Sequence, residues 1–233
     1  MKIPAKKFLT HISVIGLPEE KRFMPKIEPF EKYPHRYDNW FEKNAFIYYS
    51  ELHAVQAQLS GCDGEGIEIG VGSGRFAAPL GIAVGVDPSS QMRKIAQRRG
   101  IKVIDSPAED LPFDDAQFDY ALMITTICFL DDIRTALKEI YRTLKPGGAL
   151  IIGFVPRDSP LGIWYEQKKK NNVFYKVVTF YSVDDVIYHL EDTGFTNFSF
   201  VQTIFHDLNE ITDIEPIRKG YGKGSFVVVK GIR

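Results

Sequence analysis

Residues 68–76 read EIGVGSGRF, which places Gly70, Gly72 and Gly74 on alternate positions after a short apolar run. Glycine weakens both helices and strands, so three glycines at a boundary between elements indicate a loop whose backbone lies against a ligand. The dinucleotide fingerprint G-x-G-x-x-G would put its third glycine at position 75, where this chain has Arg75. The spacing is therefore G-x-G-x-G.

An acidic residue follows the loop at the next strand-like run. Asp87 ends IAVGVD, where a carboxylate can accept hydrogen bonds from both hydroxyls of a ribose. Without a ligand, the glycines would form a simple turn and Asp87 would cap the helix that Ser89 or Ser90 opens. We favour the ligand interpretation, because glycines and acid fall in one strand–helix–strand unit.

Strand-like and helix-like segments alternate over the first two thirds of the chain. The strand candidates GIEIG, IAVGVD, IKVID, FDYALMITT and ALIIGFV are continuous apolar runs, typical of strands covered on both faces. Between and before them we predict a long helix over 41–59, a brief one over 75–81 and another over 131–144. This pattern predicts a doubly wound α/β fold with a mostly parallel sheet and helices on both faces.

The last third is less regular. Ser182 and Asp185 form a predicted capping box for a helix that Gly194 ends. The strands NFSFVQTIF and SFVVVKGI then follow without a helix between them. A parallel return needs a crossover, so these two strands should pair antiparallel.

The order of these motifs resembles the class I S-adenosylmethionine (SAM)-dependent methyltransferases of the small-molecule type, with a methyltransferase type 11-like domain. The resemblance rests on GIEIGVGSGRFAAPL, GVDPSSQMRKIA, AEDLPFDDAQFDYALMITTICFLDD and ALKEIYRTLKPGGALIIGF. It covers about residues 35–233 and leaves 1–34 as an N-terminal extension. It implies a Rossmann-like sheet of seven strands, the last one antiparallel, and SAM as the cofactor.

The resemblance also implies which residues contact SAM. They include the glycine loop, the acidic residue that binds the ribose, the residues around the adenine, the end of the fourth strand and a tyrosine that closes over the cofactor. They are Tyr37, Glu68, Gly70, Gly72, Gly74, Arg75, Asp87, Pro88, Met92, Ala108, Glu109, Thr125 and Thr126. One departure is Pro107, which stands where relatives often carry an aspartate that bonds the adenine amine.

Methyl transfer from a sulfonium is an in-line displacement, so positioning supplies most of the catalysis. A general base is needed only when the acceptor carries a proton. The candidates are His206 and Tyr221, in the loop between the last two strands, and His35, beside Tyr37. A structural hydrogen bond is the alternative for each.

The segment 156–181 is rich in aromatic residues. These residues either enclose an apolar or cationic acceptor or pack a small cap on the domain. They are Trp164, Tyr165, Phe174, Tyr175 and Tyr181.

Composition limits the partners. The 233 residues have a formal net charge of −1, without the basic excess of nucleic-acid-binding proteins. We expect no membrane or metal partner, because the chain has neither a long apolar run nor ligand spacing. Cys62 and Cys128 should be free thiols, and the protein a cytoplasmic monomer or homodimer. Lys6 and Lys7 begin a signal-like stretch that His11 interrupts, so we expect a surface extension instead.

Two other functions share part of this pattern. A SAM-binding regulatory or partner protein without catalysis would carry the same loop and the same Asp87. A nucleotide-dependent oxidoreductase is disfavoured by Arg75. The tetrad TTIC at 125–128 replaces the Asn-Pro-Pro-aromatic motif of amide and nucleobase methyltransferases, which favours a small-molecule acceptor.

Overall fold

The computed structural model describes residue 23 and residues 25–233, so the signal-like stretch and most of the 1–34 extension lie outside it. In the described part, eight strands form one sheet with the order β3-β2-β1-β4-β5-β8-β6-β7. The strands are β1 (Gly66–Ile69), β2 (Val84–Val86), β3 (Lys102–Ile104), β4 (Phe118–Ile124), β5 (Leu144–Phe154), β6 (Thr196–Thr203), β7 (Arg218–Lys219) and β8 (Phe226–Ile232).

Helices cover both faces of this sheet. They are α1 (Glu28–Lys32), α2 (Pro34–Lys43), α3 (Ala45–Leu59), α4 (Ser90–Arg98), α5 (Ile133–Thr143), α6 (Pro160–Lys168) and α7 (Val183–Thr193). Short 3₁₀ helices lie at Ile127–Phe129, Lys169–Asn171 and Tyr175–Val177.

The pairing directions confirm the predicted fold class. Strands β1 to β5 pair in parallel, whereas β8 is antiparallel to both β5 and β6. The predicted count of seven strands omits only β7, a two-residue strand paired with β6 through Val201 and Lys219. So short a strand has no periodicity that a sequence could reveal.

Residues of β4 divide between two hydrophobic cores. Ala121 and Met123 pack with α5 and α7 on one face, while Leu122 and Ile124 pack with α3 on the other. Successive side chains of a strand point to opposite faces, so a strand buried on both sides is apolar throughout. This arrangement leaves the loops at the strand ends as the place for a site.

The helix predicted over 41–59 is broken at Asn44 (φ −120°, ψ 48°). The Asn44 side-chain amide donates to the Trp40 carbonyl at 2.8 Å, and its backbone N–H donates to the same oxygen. Asparagine competes in this way with the helical ladder. The break gives α2 and α3 different directions.

The brief helix predicted over 75–81 is also wrong, because turns occupy this segment. Pro79 lacks the N–H that would bond to the Arg75 carbonyl in a helix. The Tyr48 hydroxyl donates to that carbonyl instead, at 2.5 Å.

The capping box of α7 is confirmed: Ser182 and Asp185 exchange side-chain and backbone hydrogen bonds, and Gly194 ends the helix at φ 111°. The residues KPGG at 145–148 lie inside β5, where the register with β4 shifts. Among the described residues, no helix is both long and apolar enough to cross a membrane. The described part of the chain also shows no group of three or more potential metal ligands.

Candidate active site

Two cavities lie at the carboxyl ends of the parallel strands, where an open α/β sheet binds its ligands. The first is a cleft of about 80 Å³, which we call the glycine-loop cavity. It brings together ten of the thirteen predicted cofactor residues. They are Tyr37, Gly70, Gly72, Asp87, Pro88, Met92, Ala108, Glu109, Thr125 and Thr126.

The three glycines are needed for two different structural reasons. A Cβ on Gly70 would lie 2.2 Å from Thr126 Cγ2, and one on Gly74 would lie 2.4 Å from Ile101 Cδ1. A Cβ on Gly72 would meet nothing closer than the Tyr37 ring at 3.8 Å. Gly70 and Gly74 therefore permit packing within the protein, whereas Gly72 leaves space in the cavity.

Asp87 joins the loop to the end of β2. Its Oδ2 accepts from the Gly72 N–H at 2.8 Å, and its Oδ1 accepts from the Ser89 N–H at 2.8 Å. Burial raises the pKa of Asp87 to about 6, although both hydrogen bonds act to lower it. The helix cap of α4 is Ser89, whose hydroxyl accepts from the Met92 N–H. Asp87 is therefore a loop carboxylate at the cavity wall.

Glu68 and Arg75 do not line the cavity. Glu68 is fully buried, and burial raises its pKa well above the usual range. The Arg75 guanidinium forms an ion pair with Asp38 at 2.8 Å and another with the more exposed Glu42. Arg75 thus holds α2 against the loop, and its predicted cofactor contact has no support from this geometry.

The far wall is built by the segment after β3 and the turn after β4. Met92, in the first turn of α4, is buried there. The Glu109 carboxylate accepts from the backbone N–H groups of Asp131 and Asp132 at 2.8 and 3.2 Å. Pro107 also lines this wall, so the side chain at that position offers no hydrogen bond.

Residues 25–33, which we call the strap, cross the mouth of the glycine-loop cavity. Pro25, Lys26, Ile27 and Phe30 contribute to its lining. The Lys26 ammonium donates to the Leu130 carbonyl at 2.9 Å. This set was missed by sequence reasoning, because the segment carries no motif of its own.

Glu31 fastens the strap to the start of α4. Its carboxylate accepts from the hydroxyls of Ser89 and Ser90, at 2.8 and 3.1 Å, and from the Gln91 N–H at 3.2 Å. Partial burial acts against ionisation, but these hydrogen bonds hold the pKa of Glu31 below its usual range. The strap is therefore anchored at the predicted adenosine side of the cavity.

The second cavity has a volume of about 410 Å³, and we call it the aromatic cavity. Its walls come from α2, α3, the turn after β4, the segment after β5, and Leu208. The segment after β4, the segment after β5 and the loop between β6 and β8 thus all contribute. The aromatic rings in the lining are Tyr37, Trp40, Phe41, Phe129, Phe154, Trp164, Tyr165, Phe174, Tyr175, Phe180 and Tyr181.

Tyr37, Thr125 and Phe129 line both cavities. Thr125 has φ 51°, a left-handed conformation that is rare for a β-branched residue and is typical of functional sites. Burial raises the pKa of Tyr37 above its usual range, against a hydrogen bond with Thr125. A neutral hydroxyl and a strained turn therefore separate the two cavities.

The three candidate bases do not line either cavity. His35 is exposed on α2. His206 is exposed and pairs with Glu215 Oε1 at 2.5 Å, which raises the histidine pKa. Tyr221 is 43% exposed and packs its ring on Phe200. The structure thus gives each of them a role away from the site.

Sequence reasoning missed Glu51, which lines the aromatic cavity from α3. Its side chain is buried, and burial raises its pKa to about 8. The sequence signal for Glu51 was a charged residue among the regularly spaced apolar residues of the predicted helix. Cys128 also lines this cavity, and burial raises its pKa to about 12. Both cysteines are free, as expected.

Comparisons with known proteins agree with this geometry. A family model described as a methyltransferase domain matches residues 67–152. An uncharacterized protein of Methanocaldococcus jannaschii is 46% identical over 200 residues, which is 86% of this chain and 96% of that protein.

Solved structures extend the comparison. A Thermotoga maritima protein described as a SAM-dependent methyltransferase, "possible histamine N-methyltransferase", is 48% identical with a TM-score of 0.86, over 88% of this chain and 99% of that one. An Archaeoglobus fulgidus SAM-dependent methyltransferase shares the fold, with a TM-score of 0.66 at 16% identity over 86% of this chain and 100% of that one. The chain belongs to the class I SAM-dependent methyltransferases, and SAM is its cofactor.

Proposed function

We propose that this enzyme transfers the methyl group of SAM to a small-molecule acceptor held in the aromatic cavity. The observation that carries the proposal is the wall shared by the two cavities at Tyr37, Thr125 and Phe129. Cavities that share lining residues adjoin, and where they open into each other a methyl donor and an acceptor can reach the separation of about 3–3.5 Å that in-line displacement requires. A cavity of about 410 Å³ is in the usual range for a small molecule.

We assign SAM to the glycine-loop cavity. The acceptor-only carboxylate of Asp87 suits a ribose diol, and the open side of Gly72 allows a ligand to approach the backbone. Met92 and Ala108 supply apolar surface for an adenine ring. Thr125 and Thr126 would border the methionine end.

The remaining predicted cofactor residues support the loop from behind. Glu68 Oε2 is a buried oxygen without a hydrogen-bond partner in the described part of the chain. Gly74 packs against α4, and Arg75 fastens α2. We propose that these three residues shape the loop, while the residues that line the cavity contact the ligand.

When bound, SAM supplies an electrophilic methyl group on a sulfonium. The protein's part is to exclude water, orient the acceptor and keep the wall between the cavities polar but neutral. The hydroxyls of Tyr37 and Thr125 make the wall polar, and neither is charged near pH 7. The surrounding aromatic rings exclude water and orient the acceptor. None of the three predicted bases lines the cavities, so positioning supplies most of the catalysis here.

Other features support a small molecule as the acceptor. The aromatic cavity is enclosed by α2, α6 and the turn after β4, and the name of the Thermotoga relative refers to histamine as a substrate of that protein. We propose that the enzyme acts in the cytoplasm as a monomer or homodimer, without nucleic acid or membrane.

Calorimetry with SAM and a metabolite screen with methyl-labelled SAM test this proposal. We expect binding at micromolar concentrations and label transfer to at least one metabolite. Gly72→Ala should weaken SAM binding at least about tenfold and reduce label transfer, whereas Gly81→Ala, at an exposed turn with open space around it, should change neither. Binding of SAM without transfer to any metabolite would support a regulatory role instead.

A further inference from the structure

Glu51 differs from the other buried carboxylates of the described chain. Glu68 also has an unpartnered oxygen, Oε2, but it lines neither cavity. Asp87, Glu109 and Glu215 each accept hydrogen bonds from backbone N–H groups. Glu51 is only 5% exposed, and no hydrogen bond or ion pair to its carboxylate is found among the described residues. The carboxyl group instead lies on the wall of the aromatic cavity.

A carboxyl group in such surroundings carries a free-energy cost. Buried polar groups are nearly always hydrogen-bonded, and an unpaired buried charge is strongly unfavourable. Desolvation alone raises the Glu51 pKa to about 8. A group retained at this cost and facing a cavity suggests that its partner is a ligand.

The charges around Glu51 indicate the sign of that ligand. Arg36 and Lys43 also line the cavity, but both are exposed at its rim. Burial raises the pKa of Tyr165 to about 12, and that of Tyr175 rises further, so both phenols are neutral at pH 7. The other titratable groups in the lining, Tyr37, Cys128 and Tyr181, are also shifted upward. The buried charge facing the cavity is therefore negative when Glu51 ionises.

The remaining walls suit a cation with an apolar body. Trp40, Trp164 and Phe180 present rings to the cavity beside Tyr165 and Tyr175. Aromatic faces attract ammonium groups, and the attraction increases when water is excluded. A carboxylate then adds charge-assisted hydrogen bonds, which are about twice as strong as neutral ones.

We propose that Glu51 binds the ammonium group of a small amine, whose apolar part lies against the aromatic walls, and that this amine is the methyl acceptor. The inference rests on the proposed function, because it places the acceptor in the same cavity. Glu51 binds and orients the ammonium and then accepts the proton that it must lose, because only a neutral nitrogen has the lone pair that attacks the methyl group of SAM. An ammonium that enters at pH 7 displaces the proton of Glu51 to solvent, so amine binding releases up to one proton.

Three ligands that share a phenylalkyl skeleton and differ in their polar group test the inference. The binding of 2-phenylethylamine, 2-phenylethanol and 3-phenylpropionate to the wild type is measured by calorimetry with S-adenosylhomocysteine present. We expect the amine to bind at least about tenfold more tightly than the alcohol, and the carboxylate to bind most weakly. Repeating the titration in two buffers of different ionisation enthalpy should show proton release with the amine.

Glu51→Gln should reduce the preference for the amine to less than about threefold and remove the proton release. Glu65→Gln makes the same side-chain substitution at an exposed position and should leave both unchanged. Equal or weaker binding of the amine in the wild type, or an unaltered preference in Glu51→Gln, would overturn the inference. Melting temperatures of both variants identify any loss of folding, and Glu51→Ala is then measured as a second variant.

A methyl-transfer assay distinguishes a failure of this inference from a failure of the proposed function. Panels of amines, alcohols and thiols are incubated with methyl-labelled SAM. Transfer to alcohols or thiols but not to amines would retain the proposed function and overturn the role of Glu51. Glu51-dependent amine binding without transfer to any compound would contradict the proposed function while confirming the binding site.

Discussion

The Gly72 N–H donates a hydrogen bond of 2.8 Å to Asp87 Oδ2, so one side chain joins the loop after β1 to the end of β2. The other oxygen of the same carboxylate holds the Ser89 N–H at the start of α4. Asp87 thus organises the walls of the cavity in which we place SAM. Its ligand role and its structural role cannot be separated by position alone.

Asp87→Ala should therefore affect both affinity and stability. We expect roughly 10- to 100-fold weaker SAM binding, because hydrogen bonds to a charged group contribute about 1.5–3 kcal/mol each. The melting temperature should also fall, since two backbone N–H groups lose their acceptor. Asp87→Asn is the milder control. Calorimetry and thermal unfolding of one preparation check both effects, and wild-type affinity in Asp87→Ala would contradict the ribose assignment.

Binding of SAM should depend on pH through the same group. The pKa of Asp87 is raised to about 6, so the carboxylate is protonated at pH 5 and ionised at pH 7.5. A carboxylate is the better acceptor for a diol, so affinity should rise with pH through about 6 and then level off. Titrations across this interval should show a flat profile in Asp87→Asn.

Alanine at Gly70 should mainly reduce stability, whereas alanine at Gly72 should mainly reduce SAM affinity. At Gly70 the new Cβ would lie 2.2 Å from Thr126, so we expect a loss of about 2–4 kcal/mol in unfolding free energy. At Gly72 the methyl group would enter the cavity, and φ +53° costs only about 1–2 kcal/mol. SAM affinity should fall at least about tenfold in Gly72→Ala. Equal losses of stability in the two variants would contradict this distinction.

Glu51 should make stability depend on pH. Its pKa of about 8 in the folded protein exceeds the reference value of 4.5, so the folded state binds more protons between these values. Stability should therefore fall as pH rises from 5 to 8. The difference in unfolding free energy between Glu51→Gln and wild type should grow by up to about 3 kcal/mol over this interval.

Denaturant unfolding at several pH values measures this difference. Other groups that titrate in the same interval cancel between wild type and Glu51→Gln. Glu65→Gln supplies the control for a charge change at an exposed position. A constant difference between Glu51→Gln and wild type from pH 5 to 8 would show that Glu51 is ionised throughout.

Glu31→Ala should loosen the strap. It removes an acceptor of three hydrogen bonds at the start of α4, outside the predicted ribose contact. We expect dissociation of S-adenosylhomocysteine to accelerate by about an order of magnitude, with a smaller change in association. Stopped-flow displacement measures both rates, and the exposed variant Glu28→Ala is the control. An unchanged dissociation rate would show that the strap does not limit release.

The fold was predictable because its signals are local. Continuous apolar runs gave β1 to β5, and the missing crossover gave the antiparallel β8. The errors arose where a single side chain overrides a pattern: Asn44 breaks the predicted helix by competing for a carbonyl, and Pro79 prevents one from forming.

The site was predictable only where a motif fixes backbone geometry. The glycine loop and Asp87 lie as expected, because their spacing follows from strand and turn geometry. Glu51 and the strap were missed because their importance depends on what tertiary folding places opposite them. His206 looked suitable in sequence, but its partner Glu215 is a residue that no spacing rule connects to it.

Phe30 gives the strap a consequence for the order of events in turnover. Its ring contacts Tyr37 and Phe129, which form the wall shared by the two cavities, and Phe174 in the aromatic cavity. The glycine-loop cavity, at about 80 Å³, is smaller than the several hundred Å³ usual for ligand pockets, so the strap must shift to admit a nucleoside. That shift removes the Phe30 ring from Tyr37, Phe129 and Phe174, three residues that line the aromatic cavity. Such a linkage favours a compulsory order of binding, in which SAM enters before the acceptor and S-adenosylhomocysteine leaves last.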